Sequence, residues 1–304
     1  MTVRHFIKVE DLSVQEFEHI LATAALWKAG EHGTPLAGKT VALIFGKPST
    51  RTRVSFTVGV HQLGGLPIYL SEEDIQMRTS ESVEDTARVL SRFVDGIVIR
   101  TFANRDVEDL AAAAAVPVVN ALTDDDHPCQ ALADIQTLRE QFGDLRGRKI
   151  TYLGDGNNVA ASLAEAAAMA GMDVCLAVPD GCDLPGAKMD SIAALASRLG
   201  TKVWVERDPG VAVQEASALY TDVWISMGQT EDSGKVASLR SYQINTALLG
   251  AARADAVVMH CLPAHRGDEI TDEVMDGPQS VVFDQAENRL HAQKALLGFL
   301  LGGA

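Results

Sequence analysis

The chain reads as an α/β protein: two doubly wound parallel-sheet domains joined by long interdomain helices. Three observations predict this. Short apolar strand-like runs alternate with helical stretches along both halves, the pattern of parallel strands linked by crossover helices. A length of 304 residues is long for one core, which favours two domains. A long helical stretch at 128–142 separates two such series. The expected boundaries are 1–140 for the first domain and 141–285 for the second, with a C-terminal helix, 286–304, packing back on the first.

The elements follow in order. Residues 11–30 read as an amphipathic helix that starts near Leu12 and Ser13. Strands are expected at 40–45, 66–70, 95–100 and 116–120, with helices at 51–63, 82–93 and 105–115 between them. The alanines at 111–115 mark a helix end. Pro128 suits the first position of the long helix, and Gly143 stops it after Phe142. A second series opens at Lys149, with strands at about 149–154, 173–178, 201–205, 222–226, 255–260 and 280–283. A last helix is expected over 286–303. Residues 228–239, rich in glycine and acidic residues, read as a mobile loop.

Composition narrows the function classes. Apolar residues make up 47% of the chain, ample for buried cores. Lys+Arg 26 against Asp+Glu 41 gives a net charge of −15, which argues against a nucleic-acid surface. An anionic ligand would then need local focusing by clustered arginines. The cysteines, Cys129, Cys175, Cys182 and Cys261, form no CxxC pair, and no secretory leader is evident at the start. A reduced, cytoplasmic setting is expected. No apolar run approaches the roughly 20 residues of a membrane helix.

Lys47-Pro48-Ser49-Thr50-Arg51-Thr52-Arg53 stands where a strand hands over to a helix. Ser49 or Thr50 can cap that helix. Its free N–H groups and the positive end of the helix dipole then suit an anion, and Arg51 and Arg53 add forked charge. The plainer alternative is an ordinary capped helix with two solvated arginines. Arg100 ends a buried strand, where it either snorkels or meets a ligand. His127-Pro128-Cys129-Gln130 opens the long helix near the carboxyl edge of the first sheet, where open α/β sheets bind ligands. His127 can donate to a carbonyl and Gln130 can accept from an amide; a helix cap with a structural histidine is the alternative. Cys129 reads as a packing residue.

Gly154-Asp155-Gly156 imitates a dinucleotide fingerprint, but Val159 stands at the third small position. Asn158 reads instead as an amide clamp for a carboxylate. Asp222 can pair with an ammonium group, and backbone N–H groups near Met227 can bind a carboxylate. The stretch His260-Cys261-Leu262-Pro263 lacks metal-ligand spacing and any oxyanion elbow, so Cys261 is read as lying beside a charged amine.

Together these segments resemble the aspartate/ornithine carbamoyltransferase family, on its ornithine branch. The resemblance rests on Ser49–Arg53, on His127–Gln130, on Asp222 to Gly228 with its Ser-Met-Gly, and on His260 to Arg266, in order along nearly the whole chain. It implies a carbamoyl-phosphate half and an amino-acid half, and a homotrimer with active sites at subunit boundaries. It implies that Ser49, Thr50, Arg51, Thr52, Arg53, Arg100, His127 and Gln130 hold carbamoyl phosphate. Gln76 would reach it from a neighbouring subunit and Arg289 would close on the phosphate side. Asn158, Asp222, Ser226 and Met227 would hold ornithine, and Cys261 and Leu262 would line the reacting centre. The chemistry implied is attack of the ornithine δ-amine on the carbamoyl carbon, with Arg100, His127 and Thr52 donating to the carbonyl oxygen, and with no metal, nucleotide or other cofactor. The chain departs from the family at Arg78, where glycine is common, and at Thr57, where an acidic residue is common. Rival readings are the same transfer to putrescine or an acylated ornithine, a nicotinamide dehydrogenase built on Gly154–Gly156, and a catalytically silent paralogue.

Overall fold

The computed structural model describes residues 3–71, 75, 77, 81–225 and 232–302. It divides into two compact units, one of residues 1–136 with 287–304 and one of residues 137–286.

The first unit opens with α1 (Val14–Lys28), held at its start by a reciprocal capping box between Ser13 and Glu16. Then come β1 (Thr40–Phe45), α2 (Thr50–Gln62), β2 (Leu66–Ser71), α3 (Val83–Leu90), β3 (Gly96–Arg100), α4 (Asn104–Ala113) and β4 (Val118–Leu122). The four strands are parallel in the order β2-β1-β3-β4. The N-terminal segment adds to the far edge, where Phe6 bridges Val119. Ala42, Ile44, Ile97, Ile99 and Val118 project into one core with Val107 and Leu110 of α4. The chain leaves β1 toward β2 on one side and returns to β3 on the other. The crevice between β1 and β3 is therefore the topological switch point, where ligands bind in such sheets.

Helix α5 (Pro128–Phe142) carries the chain across the boundary between the units. The second unit contains β5 (Lys149–Leu153), α6 (Asn158–Met169), β6 (Asp173–Ala177), α7 (Gly186–Leu199), β7 (Val203–Glu206), α8 (Pro209–Ala212), β8 (Ala216–Thr221), α9 (Ser233–Leu239), α10 (Thr246–Ala251), β9 (Val257–His260) and α11 (Asp272–Met275). Its five strands are parallel in the order β7-β6-β5-β8-β9, so its switch point lies between β5 and β8. Leu153, Leu219, Val258, Ile270 and Val274 share its core. The final helix, α12 (Val282–Leu301), lies in the first unit from Glu287 onward. There it packs tightly on α1: a Cβ on Gly298 would run into the Trp27 ring.

Three expectations need correction. Of the strand expected at 222–226, the described residues 222–225 form none; the strand is β8, and Asp222 lies just beyond its end. Its small residues, Ala216, Ser217 and Ala218, hide a fully buried strand that pairs with β5. Trp224 is buried in the bend that follows β8. The expected strand at 280–283 is a single bridge from Ser280 to Val258, after which Val282 already starts α12. The Val281-Val282-Phe283 run has strand propensity, but the helix prevails. Within the expected loop 228–239, residues 233–239 are α9, capped by Asp232 through the N–H groups of Gly234 and Lys235; residues 228–231 lie outside the described ones. No helix among the described residues is long and apolar enough to cross a membrane.

Candidate active site

In the first unit, candidate residues gather at the carboxyl ends of β1, β3 and β4. Ser49 is the N-cap of α2; its backbone is extended and its hydroxyl accepts from the Thr52 N–H at 3.2 Å. That bond orients the first turn and leaves the adjoining N–H groups pointing out of the helix end. Thr50 and Arg51 are exposed there, whereas Thr52 is buried. Arg53 places its guanidinium 3.6 Å from the centre of the Tyr69 ring. Of the two arginines in the run, Arg51 is thus the one not stacked on that ring.

Arg100 closes β3, buried, at a register shift against β4. His127 is buried beyond β4. Burial first, then the charges of Arg289, Arg100 and Lys47, hold its pKa well below the usual histidine value. His127 is therefore neutral at physiological pH and keeps a ring N–H to donate. Lys47 was not singled out from the sequence. It is buried, bound to Asp124, and its ammonium lies 4.3 Å from the Phe102 ring centre. Cys129 is a packing residue: burial pushes its thiol up to about 12, and Sγ donates to the Asn120 carbonyl at 3.3 Å. Arg289, from α12, donates to Gln130 Oε1 at 2.6 Å and to Thr52 Oγ1 at 3.4 Å.

In the second unit the candidates lie at the ends of β5, β8 and β9. Asp222 is buried, with Oδ1 accepting from Cys261 Sγ at 3.0 Å and Oδ2 from Asn157 Nδ2 at 2.8 Å. Asn157, like Lys47, is a residue that reading the sequence missed. It caps α6 through Oδ1, which accepts from Val159 N at 3.0 Å, Ala160 N at 3.1 Å and the Tyr152 hydroxyl at 3.2 Å. The capping rule was the available signal: of two adjacent asparagines before a helix, the first turns back to the helix end and so fixes its other amide face. Asn158 begins α6, half-buried.

The turn after β9 is held from behind. His260 Nδ1 accepts from the Leu262 N–H at 2.9 Å, so Nε2 carries the proton and donates to Glu269 Oε1 at 3.1 Å, with both side chains fully buried. Leu262 takes φ 60, the left-handed region that β-carbon residues seldom occupy, and its peptide bond to Pro263 is cis. The hydrogen bond to His260 Nδ1 ties down the Leu262 N–H in this turn. Asp222, His260 and Cys261 offer ligand atoms within 4.8 Å of one another. Both His260 nitrogens are committed to hydrogen bonds, however, so the trio presents a carboxylate and a thiol rather than a ligand shell.

The dinucleotide alternative fails on packing as well as spacing. A Cβ on Gly156 would lie 2.5 Å from the Cys182 carbonyl oxygen and 2.7 Å from Leu184 N. The chain's own backbone occupies the space over this glycine where a pyrophosphate would approach. Asp155 is engaged by Lys235 at 2.7 Å. Gln76, Ser226 and Met227 lie outside the described residues.

Residues 4–140 match the family model for the aspartate/ornithine carbamoyltransferase carbamoyl-P binding domain, and residues 146–300 match that for the Asp/Orn binding domain. The chain belongs to the aspartate/ornithine carbamoyltransferase family. An ornithine carbamoyltransferase of Gloeobacter violaceus is 51% identical over 298 residues, covering 98% of this chain and 95% of that protein. One from Thermococcus kodakarensis is 50% identical over 306 residues, 99% of this chain and 97% of that protein. The solved structure of ornithine carbamoyltransferase from Pyrococcus furiosus is similar with a TM-score of 0.95 and 48% identity, covering 99% of this chain and 98% of that one. Within the family, the two anion- and ammonium-suited sites at the switch points take on a chemical meaning.

Proposed function

We propose that this enzyme transfers the carbamoyl group of carbamoyl phosphate to the δ-amine of L-ornithine, giving L-citrulline and phosphate. The observation that carries the reading is the seat at the β1/β3 switch point. Arg51 stands at a capped helix N-terminus, and the buried cations Arg100 and Arg289 stand near a neutral, buried His127. Carbamoyl phosphate would be held by Ser49, Thr50, Arg51, Thr52, Arg53, Arg100, His127, Gln130 and Arg289, with Cys261 and Leu262 at the reacting centre. Gln76 of a neighbouring copy would complete it in a homotrimer. Ornithine would be held by Asn158, Asp222, Ser226 and Met227, to which we add Asn157 as the residue that aims Asp222. Residues 1–140 and 141–285 are the respective binding domains in this reading, with 286–304 assigned to the first.

The mechanism follows from the charges. The neutral δ-amine attacks the carbamoyl carbon while Arg100, His127 and the Thr52 hydroxyl donate to the carbonyl oxygen as it gains charge. One such donor is commonly worth about 3–4 kcal/mol. Arg51 and the first-turn N–H groups of α2 neutralise the departing phosphate. A neutral His127 suits this role, because it donates without adding a charge that must be desolvated. An amine of pKa near 10.4 is only about a thousandth neutral at pH 7.4, so the rate rises with pH through the bound amine's apparent pKa. Carbamoyl phosphate is already activated, so the reaction calls for no metal or nucleotide. Cytoplasmic placement and a part in arginine biosynthesis belong to the same proposal.

The test is citrulline formation with ornithine, putrescine, N-acetylornithine and aspartate offered in parallel. Turnover with ornithine alone supports the reading. Preference for another amine overturns the assignment of Asp222 and its neighbours while keeping the carbamoyl half. No turnover with any amine overturns the function.

A further inference from the structure

The amide of Gln130 has its polarity fixed by two charged groups. Gln130 and Asp134 stand one turn apart on α5, both buried, at 2% and 0% exposure. Gln130 Nε2 donates to Asp134 Oδ1 at 2.8 Å. Its Oε1 accepts from Arg289 Nη1 at 2.6 Å. A carboxylate only accepts and a guanidinium only donates. Turning the amide over would set oxygen against carboxylate and NH2 against guanidinium, forfeiting both charge-assisted bonds at once. The same Arg289 donates to Thr52 Oγ1 at 3.4 Å, which leaves the Thr52 hydrogen for a different acceptor. A carbonyl oxygen has two lone pairs, so Gln130 Oε1 can accept a second N–H.

We propose that Asp134 is a specificity-determining positioning residue: with Arg289 it locks Gln130 as an acceptor and Thr52 as a donor, so the seat reads the NH2 and C=O ends of a carbamoyl group and rejects acyl phosphates that lack the N–H. This rests on the carbamoyl-phosphate reading given above. When a methyl group arrives instead of an N–H, the second lone pair of Gln130 Oε1 goes unmet while the bond from Arg289 stays, so the seat discriminates by one hydrogen bond as well as by shape. Acetyl phosphate is the matched probe, because it keeps the phosphate and the carbonyl and replaces NH2 by CH3.

The experiment compares KM for carbamoyl phosphate with the inhibition constants of acetyl phosphate and inorganic phosphate. In Asp134→Leu, which removes the acceptor, the preference for carbamoyl over acetyl phosphate falls about tenfold or more, while the inhibition constant of inorganic phosphate changes less than about twofold. Asp134→Asn, whose amide can rotate to present oxygen, keeps the preference within about threefold of wild type. In a Gln130→Met background the Asp134→Leu effect on this ratio disappears, since Asp134 acts through Gln130. If Asp134→Leu does not fold, Asp134→Ser serves, its hydroxyl being too short to reach the amide. An unchanged preference in the folded variant, or equal losses for all three phosphates, overturns the proposal. Wild-type protein that makes no citrulline from carbamoyl phosphate and ornithine overturns the underlying function instead, so the two failures are told apart.

Discussion

Replacing Asn157 by aspartate exchanges one NH2 for one oxygen and leaves the side-chain shape unchanged. The cap of α6 survives, because Oδ1 can still accept from Val159, Ala160 and Tyr152. A negative charge at a helix N-terminus even gains about 0.3–1 kcal/mol. What is lost is the donor that meets Asp222 Oδ2 at 2.8 Å. A hydrogen bond to a charged group is worth roughly 1.5–3 kcal/mol. Two carboxylates held about 3 Å apart would repel by about 5 kcal/mol at an effective dielectric of 20. Protonating one of them at pH 7.5 costs about as much, so the side chains part and Asp222 swings from its place. The lost bond is the lower bound. A loss of about 2–3 kcal/mol lowers kcat/KM for ornithine roughly 30- to 140-fold. The assay is initial-rate citrulline formation at saturating carbamoyl phosphate, with thermal unfolding alongside. Repulsion raises the folded-state pKa of the carboxylate pair, so the stability deficit is full at neutral pH and shrinks as pH falls and one group protonates. If kcat/KM stays within threefold of wild type and the unfolding midpoint keeps a constant offset with pH, Asn157 does not aim Asp222.

Further perturbations separate the parts of the account. Gly156→Ala forces a methyl group against the backbone of Cys182 to Leu184, at 2.5 Å in the nearest case; rigid overpacking of this kind costs about 1–3 kcal/mol, read as a lowered Tm, and an unchanged Tm contradicts the packing. Arg51→Ala raises KM for carbamoyl phosphate and the inhibition constant of phosphate together by at least about tenfold, leaving thermal stability within about 0.5 kcal/mol because the residue is exposed; a pure stability loss contradicts the anion seat. His127 has a depressed folded-state pKa. The unfolded chain therefore takes up its proton first, near pH 6.5, and the stability this group contributes is lost as pH falls below that value. His127→Gln flattens the slope below pH 6.5 measured by denaturant titration, and an unaltered slope contradicts the assignment.

Much of the architecture was legible because local and tertiary signals agreed. β1 and β3 are continuous apolar runs ending at polar turns, and both are buried throughout most of their length. The long helix begins at Pro128 and ends before Gly143, as its punctuation predicts. Misplacements came where propensity and burial diverged. β8 is made of alanine, serine and threonine around Leu219 and Tyr220, so its burial is invisible in its composition. The valines at 281 and 282 look like a strand, but Val282 opens a helix of 20 residues. Helix α9 was hidden by its glycine and its charges, whereas Asp232 caps it and Lys235 ties it to Asp155.

The sites divide in the same way. The place of Ser49 and Arg51 at the helix start after β1 was legible from position, whereas Asp222, expected within a strand at 222–226, lies just beyond β8. Groups that act by facing another side chain were not legible. Asn157, Lys47, Glu269 and Asp134 find their partners across 65, 77, 9 and 4 residues of chain. Even the nearest of these pairs, Gln130 with Asp134, gains its meaning only when Arg289 arrives from a helix 159 residues away.

The central claim is that the carbamoyl carbon ends on the δ-nitrogen of ornithine. Carbon-13 carbamoyl phosphate and ornithine labelled with nitrogen-15 at the δ position would be incubated with the wild-type enzyme and followed by NMR. The account predicts a ureido carbon signal split by one-bond coupling to the labelled nitrogen, growing in step with phosphate release. An unsplit carbon signal, in carbamate, bicarbonate or a product joined at the α-nitrogen, would contradict it.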